Sequence, residues 1–207
     1  NLIELLLKKN FFVINIDKCT YSSNFYNTRD FIKSRKYKFL KLDIASNKIC
    51  KVFANYKPVG IFNLAAETHV DRSIENSSSF IKTNILGTNN ILSAAYKNKC
   101  KKVVCLSTDK AVHPVNAMGM TKSLMEKLVM ASNSNKSKGD TIVTCTRYGN
   151  VLASRGSVIP LFINQIKKGL PITLTDKKMT RFLMTLTEAV ELVDYAFENS
   201  SNADIFV

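Results

Sequence analysis

Short apolar runs alternate with longer helical patterns along most of this sequence, and this alternation constrains the fold more than any other feature. Five runs have the length and residue types of buried strands, at residues 11–16, 37–42, 60–64, 102–106 and 141–147. Helical patterns occupy residues 24–34, 47–56, 77–96 and 117–131. Because a strand followed by a crossover helix pairs in parallel with another strand, the sequence predicts an α/β fold with a doubly wound parallel sheet.

The two ends of the sequence add to this expectation. Residues 2–9 form a helical pattern, whereas a dinucleotide-binding fold opens with a strand and a Gly-rich turn. Residues 204–207 have the composition of a strand. We therefore expect an NAD(P)-binding Rossmann fold that is truncated at both ends. Residues 1–150 would form the dinucleotide-binding core without its first strand and Gly-rich turn, and residues 151–207 the incomplete start of a substrate-binding part.

Composition narrows the partners and the compartment. The net charge is +14, but the basic residues are scattered and form no pattern typical of nucleic-acid binding, so we expect no nucleic-acid partner. The apolar runs are too short to cross a bilayer, which predicts no membrane contact. The five cysteines are widely spaced and lack a CxxC pair, which argues against a metal site or a disulfide framework. We expect buried or half-buried thiols in a cytoplasmic protein.

Polar or small residues follow each predicted strand directly. They are Asp17, Asp43, Ala65-Ala66-Glu67, Ser107-Thr108-Asp109-Lys110 and Tyr148-Gly149-Asn150. In an open parallel sheet, ligands bind in the crevice outside the carboxyl ends of the strands. The recurrence of these residues at the same topological position therefore predicts a single ligand site.

Individual residues indicate a dinucleotide. A carboxylate at Asp17 would accept both ribose hydroxyls of an adenosine and repel a 2′-phosphate, which favours NAD, although Lys18 could offset a phosphate charge and leaves NADP possible. Ala65 and Ala66 are small enough for the backbone to approach a cofactor closely. His69 could pack structurally or contact a substrate with equal ease.

Longer motifs carry a resemblance to a known family. The segments STDKAVHPVNAMGMTKSLMEKL, TRYGNVLASRGSVIPLF and PITLTDKKMTRFLMTLTEAVEL in the second half resemble inverting UDP-N-acetylglucosamine 4,6-dehydratases of capsule and flagellin-sugar synthesis. The first half, with VINIDKCTYSSNFYN, NLAAETHVDRSI and FIKTNILGTNNILSAA, is similar to dTDP-glucose 4,6-dehydratases. Both families belong to the extended short-chain dehydrogenase/reductase superfamily, and the second half, which holds the catalytic pair, is given more weight.

The resemblance implies an internal redox cycle on a nucleotide sugar in surface polysaccharide biosynthesis, with removal of water through a 4-keto intermediate. Asp109 would be the acid, Lys110 the base, and Thr108 a hydrogen-bond partner of the sugar 4-oxygen. Lys122 would hold the nicotinamide ribose, with Met118 at the position where many relatives have the tyrosine base. Thioethers cannot exchange the proton, so another group takes that role or the chain is inactive.

Further positions follow from the resemblance or from local sequence context. Cofactor contacts would come from Asp43, Ile44 and Asn84, and substrate contacts from Glu67, Asn150, Arg155 and Arg181, while His113 would be exposed. The intact enzyme would be a homo-oligomer. Three alternatives stay open: a retaining dTDP-glucose 4,6-dehydratase, a nucleotide-sugar 4-epimerase, and a non-catalytic NAD-binding protein.

Overall fold

The computed structural model describes residues 1–133, 140–154 and 156–207. The strands are β1 Val13–Asp17, β2 Tyr37–Lys41, β3 Gly60–Asn63, β4 Lys102–Thr108, β5 Ile142–Tyr148, β6 Asn150–Val151, β7 Leu183–Met184 and β8 Ile205–Phe206. The helices are α1 Leu2–Lys8, α2 Lys48–Tyr56, α3 Val70–Glu75, α4 Ser77–Phe80, α5 Thr88–Lys97, α6 Ala117–Asn133, α7 Val158–Lys167 and α8 Leu186–Asn199. Two 3₁₀ turns, Phe25–Phe31 and Asp109–Ala111, lie between them.

All strand pairs in the described residues are parallel. One sheet consists of β1 and β2, a second has the order β3-β4-β5-β8, and β6 pairs with β7. In the register of β4 and β5, Cys105 lies opposite Cys145 and Thr108 opposite Tyr148. The carboxyl ends of β4 and β5 therefore finish side by side.

Helices cover both faces of the four-stranded sheet. On one face, Phe53 of α2, Ile91 of α5 and Met125 of α6 pack with Val103 and Val143 of the central strands. On the other, Val104 packs against Val193 and Ala196 of α8, with Leu2 of α1 at the margin. Hydrophobic burial on both faces explains why the strands read as continuous apolar runs.

An opening separates the two larger sheets. A cavity of about 1240 Å³ is lined by residues of β1 on one side and of β3 on the other. Its walls also include Ile44, Ala65, Ala66 and Phe197. The opening continues to the carboxyl ends of β1 and β3, where the loops that carry the predicted cofactor residues begin.

The helical segment from Ser77 to Lys97 contains a wide turn. Residues Ile81–Gly87 form a π-helical turn between α4 and α5. Such turns contain an extra residue and often occur at functional sites. Thr83 and Asn84 lie on this turn and are both buried.

Two expectations were wrong in detail. The segment at residues 24–34, predicted as a helix, forms the 3₁₀ turn Phe25–Phe31. Side chains here bond to local backbone, since Asn24 Oδ1 accepts from the Tyr26 amide and Thr28 Oγ1 donates to the Phe25 carbonyl, and such bonds compete with an α-helix. Cys50 is exposed rather than buried or half-buried.

Among the helices described here, none has the length and apolarity needed to span a bilayer.

A candidate active site at the carboxyl ends of the strands

The end of β4 presents three polar side chains in sequence. Thr108 Oγ1 donates to Asp109 Oδ1 over 2.8 Å, and Lys110 Nζ lies 2.9 Å from the same oxygen. Asp109 and Lys110 are about three-quarters and two-thirds buried, respectively. The predicted acid and base therefore lie side by side.

Asn150 completes this group from the next strand end. Lys110 Nζ donates to Asn150 Oδ1 over 3.1 Å, and Asn150 Nδ2 donates to the Phe182 carbonyl over 3.3 Å. The residue before it is Gly149, where a β-carbon would lie 2.8 Å from the Phe182 carbonyl oxygen. The absence of a side chain at Gly149 thus allows β6 to pair with β7 and places Asn150 against Lys110.

The surroundings of Asp109 favour its carboxylate. Burial acts to raise the pKa of Asp109, but the hydrogen bonds from Lys110 and Thr108, together with the Lys110 charge, outweigh this effect. The pKa therefore lies below its usual value. In this arrangement Asp109 is held in its ionised form.

Helix α6 begins against the same turn. A β-carbon at Gly119 would lie 2.7 Å from the Lys110 carbonyl oxygen, so the helix backbone approaches the turn closely. One turn further along, Lys122 Nζ donates to the Leu106 carbonyl over 2.8 Å. Leu106 precedes Thr108 by two residues on β4. Lys122 therefore packs against β4 two residues before Thr108, and its role at a nicotinamide ribose stays a prediction.

Burial determines the chemistry of Lys122, which is only 3% exposed. Burial lowers the pKa of Lys122 to about 8, and the nearby Cys105, Cys145 and Glu126 act in the opposite direction. The ammonium has three donors, and the Leu106 carbonyl uses one of them. A ligand hydroxyl would be a suitable further acceptor.

Met118 occupies the position four residues before Lys122 and is 3% exposed. Its backbone carbonyl accepts from Thr121 Oγ1 over 2.9 Å. The thioether adds packing to the start of α6 but has no proton to exchange. Proton transfer at this site must therefore use other side chains.

Asn84 connects three elements from its place on the π-helical turn. Its Oδ1 accepts from the Glu67 amide over 2.9 Å, and its Nδ2 donates to the Glu67 carbonyl and to Thr121 Oγ1, both over 3.0 Å. Asn84 is fully buried. It fixes the loop after β3 to α6, directly beside Lys122.

Lys18 joins the loop after β1 to the loop after β3. Its Nζ lies 3.2 Å from Glu67 Oε1 and 3.0 Å from Thr83 Oγ1. Asp17 Oδ1 accepts from the Cys19 amide over 2.6 Å and from Ser23 Oγ over 3.1 Å. Lys18 and Glu67, predicted as a cofactor and a substrate contact, form an ion pair with each other.

The other predicted cofactor residues line the opening between the sheets. Asp43 Oδ1 accepts from the Ala45 amide over 2.8 Å, and Ile44 is buried where its side chain packs on Gly87. Ala65 and Ala66 are half-buried at the rim. An adenosine contact by Asp43 or Ile44 stays a prediction.

Arg181, a predicted substrate residue, makes only local hydrogen bonds among the described residues. Arg181 is exposed, and its guanidinium bonds to the neighbouring Thr180 carbonyl and Met179 sulfur. Arg155 lies outside the described residues. His69 packs its ring near Tyr21 and against Gly156, and His113 is exposed, as expected.

Sequence reasoning missed a buried polar group under the site. Glu126 accepts from Ser107 Oγ over 2.6 Å and from two nitrogens of Arg147 over 2.9 and 2.8 Å. The sequence places Glu126 four residues after Lys122, so both side chains lie on one face of α6. This spacing was the only indication of Glu126 in the sequence. Without the sheet register, that spacing alone could not identify the partners.

The residues at the strand ends fit a dinucleotide. A carboxylate follows β1, small residues follow β3, and a buried ammonium with spare donors lies beside β4. Asp17 would hold the adenosine ribose and Lys122 the nicotinamide ribose, and the small Ala66 would let the protein backbone approach the cofactor closely.

A family model described as polysaccharide biosynthesis protein matches residues 9–207. UDP-glucose 4-epimerase of Rickettsia rickettsii is 56% identical over 147 residues, which are 71% of this chain and 43% of that protein. The Rickettsia canadensis protein of the same name is 54% identical over 161 residues, covering 74% of this chain and 47% of its own length. The chain spans less than half the length of these curated relatives.

Solved structures agree with this assignment. Pen from Bacillus thuringiensis is 35% identical with a TM-score of 0.89, over 97% of this chain and 62% of that one. DesIV, a dTDP-glucose 4,6-dehydratase from Streptomyces venezuelae solved with NAD, is 22% identical with a TM-score of 0.86, over 99% and 70% of the two chains. At that identity the likeness concerns the fold, and it confirms the predicted α/β architecture. By the match to nearly its whole length, this chain belongs to the polysaccharide biosynthesis protein family.

Proposed function

We propose that the full-length protein is an NAD-dependent nucleotide-sugar 4,6-dehydratase of the inverting, UDP-N-acetylglucosamine type. The observation that carries this proposal is the contact of Asp109 with Lys110, 2.9 Å apart at the end of β4. Elimination of water needs an acid and a base next to each other. Lys122 supports the proposal because it is buried beside the same strand end, where it would hold the nicotinamide ribose.

The cycle begins at the sugar 4-hydroxyl. NAD, when bound, supplies the acceptor and later the donor of the hydride. Thr108 Oγ1 accepts the proton of the 4-hydroxyl while passing its own proton along the 2.8 Å hydrogen bond to Asp109. The lowered pKa of Asp109 means that it starts the cycle as an unprotonated carboxylate. This relay would take the role of the tyrosine base that many relatives have where this chain has Met118.

The same two residues then remove water. Lys110, after releasing its ammonium proton to solvent, takes the C5 proton that the 4-ketone has acidified, and Asp109 gives its proton to the departing C6 hydroxyl. The C6 carbon accepts the returning hydride, and Lys110 returns a proton to C5. Asp109 ends as a carboxylate and Lys110 as a neutral amine, so the cycle closes with the loss of one water.

The opening between β1 and β3 supports the proposed division into a dinucleotide-binding core and the start of a substrate-binding part. Each of these strands pairs on one side only among the described residues. We propose that a further parallel strand of the longer protein fills this opening and brings the cofactor diphosphate to the loops beside Asp17 and Ala65. In full-length protein, backbone amides of β1 and β3 should then be protected from hydrogen exchange, and rapid exchange of both strands would contradict this.

A 4-epimerase is the second candidate, because the Rickettsia relatives carry that name. Epimerisation needs hydride transfer at C4 but no elimination, so Lys110 would then have no C5 proton to take and Asp109 would have no C6 hydroxyl to protonate. The ion-paired geometry of these two residues is the reason for preferring the dehydratase.

Product analysis tests the proposal. Full-length protein is incubated with NAD and, separately, with UDP-N-acetylglucosamine, UDP-glucose and dTDP-glucose. A product that has lost one water, with inverted configuration at C5 by NMR, is expected from the first substrate. A product of unchanged mass would overturn the dehydratase in favour of the epimerase. A protein that binds no NAD in a fluorescence titration would exclude both.

Two matched substitutions sharpen this test. Thr108→Ser keeps the hydroxyl and should retain turnover, whereas Thr108→Val removes the relay and should lower kcat about 10²-fold or more. Equal activity of the two variants would remove Thr108 from the proposed relay.

Self-association of the intact enzyme stays a prediction.

A further inference from the structure

A buried ionic group lies directly beneath the proposed site. Glu126 is 4% exposed and Ser107 is 3% exposed. The carboxylate accepts from Ser107 Oγ over 2.6 Å through Oε1, and from Arg147 through both oxygens over 2.9 and 2.8 Å. Burying a charged group without partners is costly, so this carboxylate depends on both neighbours.

The three residues come from the three elements that carry the site. Ser107 immediately precedes Thr108 on β4, and Arg147 opposite it on β5 leads through Gly149 to Asn150. Glu126 lies one helical turn after Lys122 on α6. Any shift of α6 along the sheet would therefore have to break the Glu126 contacts before Lys122 could move relative to Thr108.

We propose that Glu126 is a positioning residue, which fixes Lys122 relative to the Thr108–Lys110 turn by binding Ser107 and Arg147 at once. This inference rests on the proposed function, since it concerns the geometry of that same site. Glu126 acts through Lys122, Ser107 and Arg147 and does not itself exchange a proton with the substrate.

A charge effect accompanies this positioning. The groups that face the Lys122 ammonium are Glu126 on its own helix, Cys105 on β4 and Cys145 on β5, with Arg147 beyond Glu126. Because the Glu126 carboxylate favours the protonated lysine, its replacement by glutamine removes that support and leaves Arg147 without its counter-ion. The alkaline limb of the activity profile should then move to lower pH.

The decisive experiment compares single and paired substitutions in the full-length protein. Glu126→Gln leaves Arg147 uncompensated and should lower both Tm and kcat. The double variant Glu126→Met with Arg147→Met removes both charges and should recover most of the Tm, since a buried ion pair is often replaceable by apolar residues of similar volume. If Glu126 positions Lys122, kcat of the double variant stays at least about 10-fold below wild type while KM changes by less than about threefold.

Glu191→Gln on the exposed face of α8 is the matched control and should leave Tm and kcat unchanged. Recovery of kcat together with Tm in the double variant would show that Glu126 serves stability alone and would overturn the proposal. An alkaline limb that does not move in Glu126→Gln would overturn the charge effect.

A second readout separates this inference from the proposed reaction. If the wild-type protein turns over no nucleotide sugar, the proposed function fails, and hydrogen exchange of the Thr108–Ala111 backbone then decides the role of Glu126. Ser107→Ala and the double variant should both exchange faster at this turn, with β3 unchanged. Unchanged exchange at the turn would overturn the positioning role independently of any activity.

Discussion

Two regions of the molecule differ in how their polar side chains are engaged. In the catalytic half, formed by β4, β5 and α6, Glu126 and Lys122 bond across from the helix to the strands. In the cofactor half, formed by β1, β2 and the loops that follow them, Asp17 and Asp43 bond to the turns directly after them. Buried contacts between elements therefore hold the catalytic half, whereas the cofactor half is joined to the loop after β3 by the partly exposed ion pair of Lys18 and Glu67.

Removing Lys122 should have the largest effect. Lys122→Met takes away the proposed ribose contact, and we expect kcat/KM of the full-length enzyme to fall about 10³-fold. The matched control is Lys127→Met, an exposed position on the same helix, which should retain full activity. Comparable activity of the two variants would mean that the catalytic half lies elsewhere.

The stability of Lys122→Met should also depend on pH in a distinctive way. The pKa of Lys122 in the folded protein is about 8, below the ordinary lysine value of 10.5, so the unfolded chain binds more protons between these two pH values. Below about pH 8 this lysine therefore lowers the free energy of unfolding by about 3 kcal/mol. This destabilisation disappears as the pH rises from about 8 to 10.5. Urea unfolding from pH 7 to 10 should show the wild type gaining stability relative to Lys122→Met. A constant difference would mean that the lysine is solvated.

A larger side chain at the start of α6 is expected to have an effect of intermediate size on stability. In Gly119→Ala the new methyl group would meet the Lys110 carbonyl at 2.7 Å, and a backbone atom cannot yield as a flexible side chain can. We expect a loss of about 1–3 kcal/mol in the free energy of unfolding, measured by urea titration. Ser123→Ala on the same helix should change it by less than about 0.5 kcal/mol. A neutral Gly119→Ala would show that the turn and helix are not tightly apposed.

The smallest effect is expected from the ion pair between the loops after β1 and β3. The Lys18 and Glu67 side chains are 30% and 12% exposed, so solvent screens their attraction. Lys18→Met should cost less than about 1 kcal/mol in thermal unfolding, against no change for Lys97→Met on α5. A larger loss would make the cofactor half as firmly organised as the catalytic half and would remove the contrast between them.

The strands of this fold were predictable because both faces of the sheet are buried. The run at residues 102–106, for example, is apolar from Val103 onward and corresponds to β4, which extends two residues further to include Ser107 and Thr108. Polar residues at the end of a strand give no apolar signal, so its boundary was placed too early. The helix predicted at residues 24–34 failed for the opposite reason, because local side-chain bonds decided the backbone there.

The site was predictable where it follows the strands in sequence and unpredictable where it depends on register. Thr108, Asp109 and Lys110 are adjacent in the chain, and their proximity was expected. The contact of Lys110 with Asn150 spans 40 residues and requires both the β4–β5 register and the close approach at Gly149. The pairing of Lys18 with Glu67 likewise depends on the distance between two loops, which no sequence pattern specifies.

The extra residue in the wide turn at Ile81–Gly87 has a consequence for how this segment tolerates change. A π-helical turn is one residue longer than the α-helical turn it replaces, so deleting a residue would restore regular geometry and favour the helix itself. The deletion would also narrow the turn on which Asn84 lies and so change the position of Asn84 relative to its neighbours. Asn84 would then lose its hydrogen bonds to Glu67 and Thr121. Insertions and deletions in this turn should therefore be selected against even where they stabilise the helix.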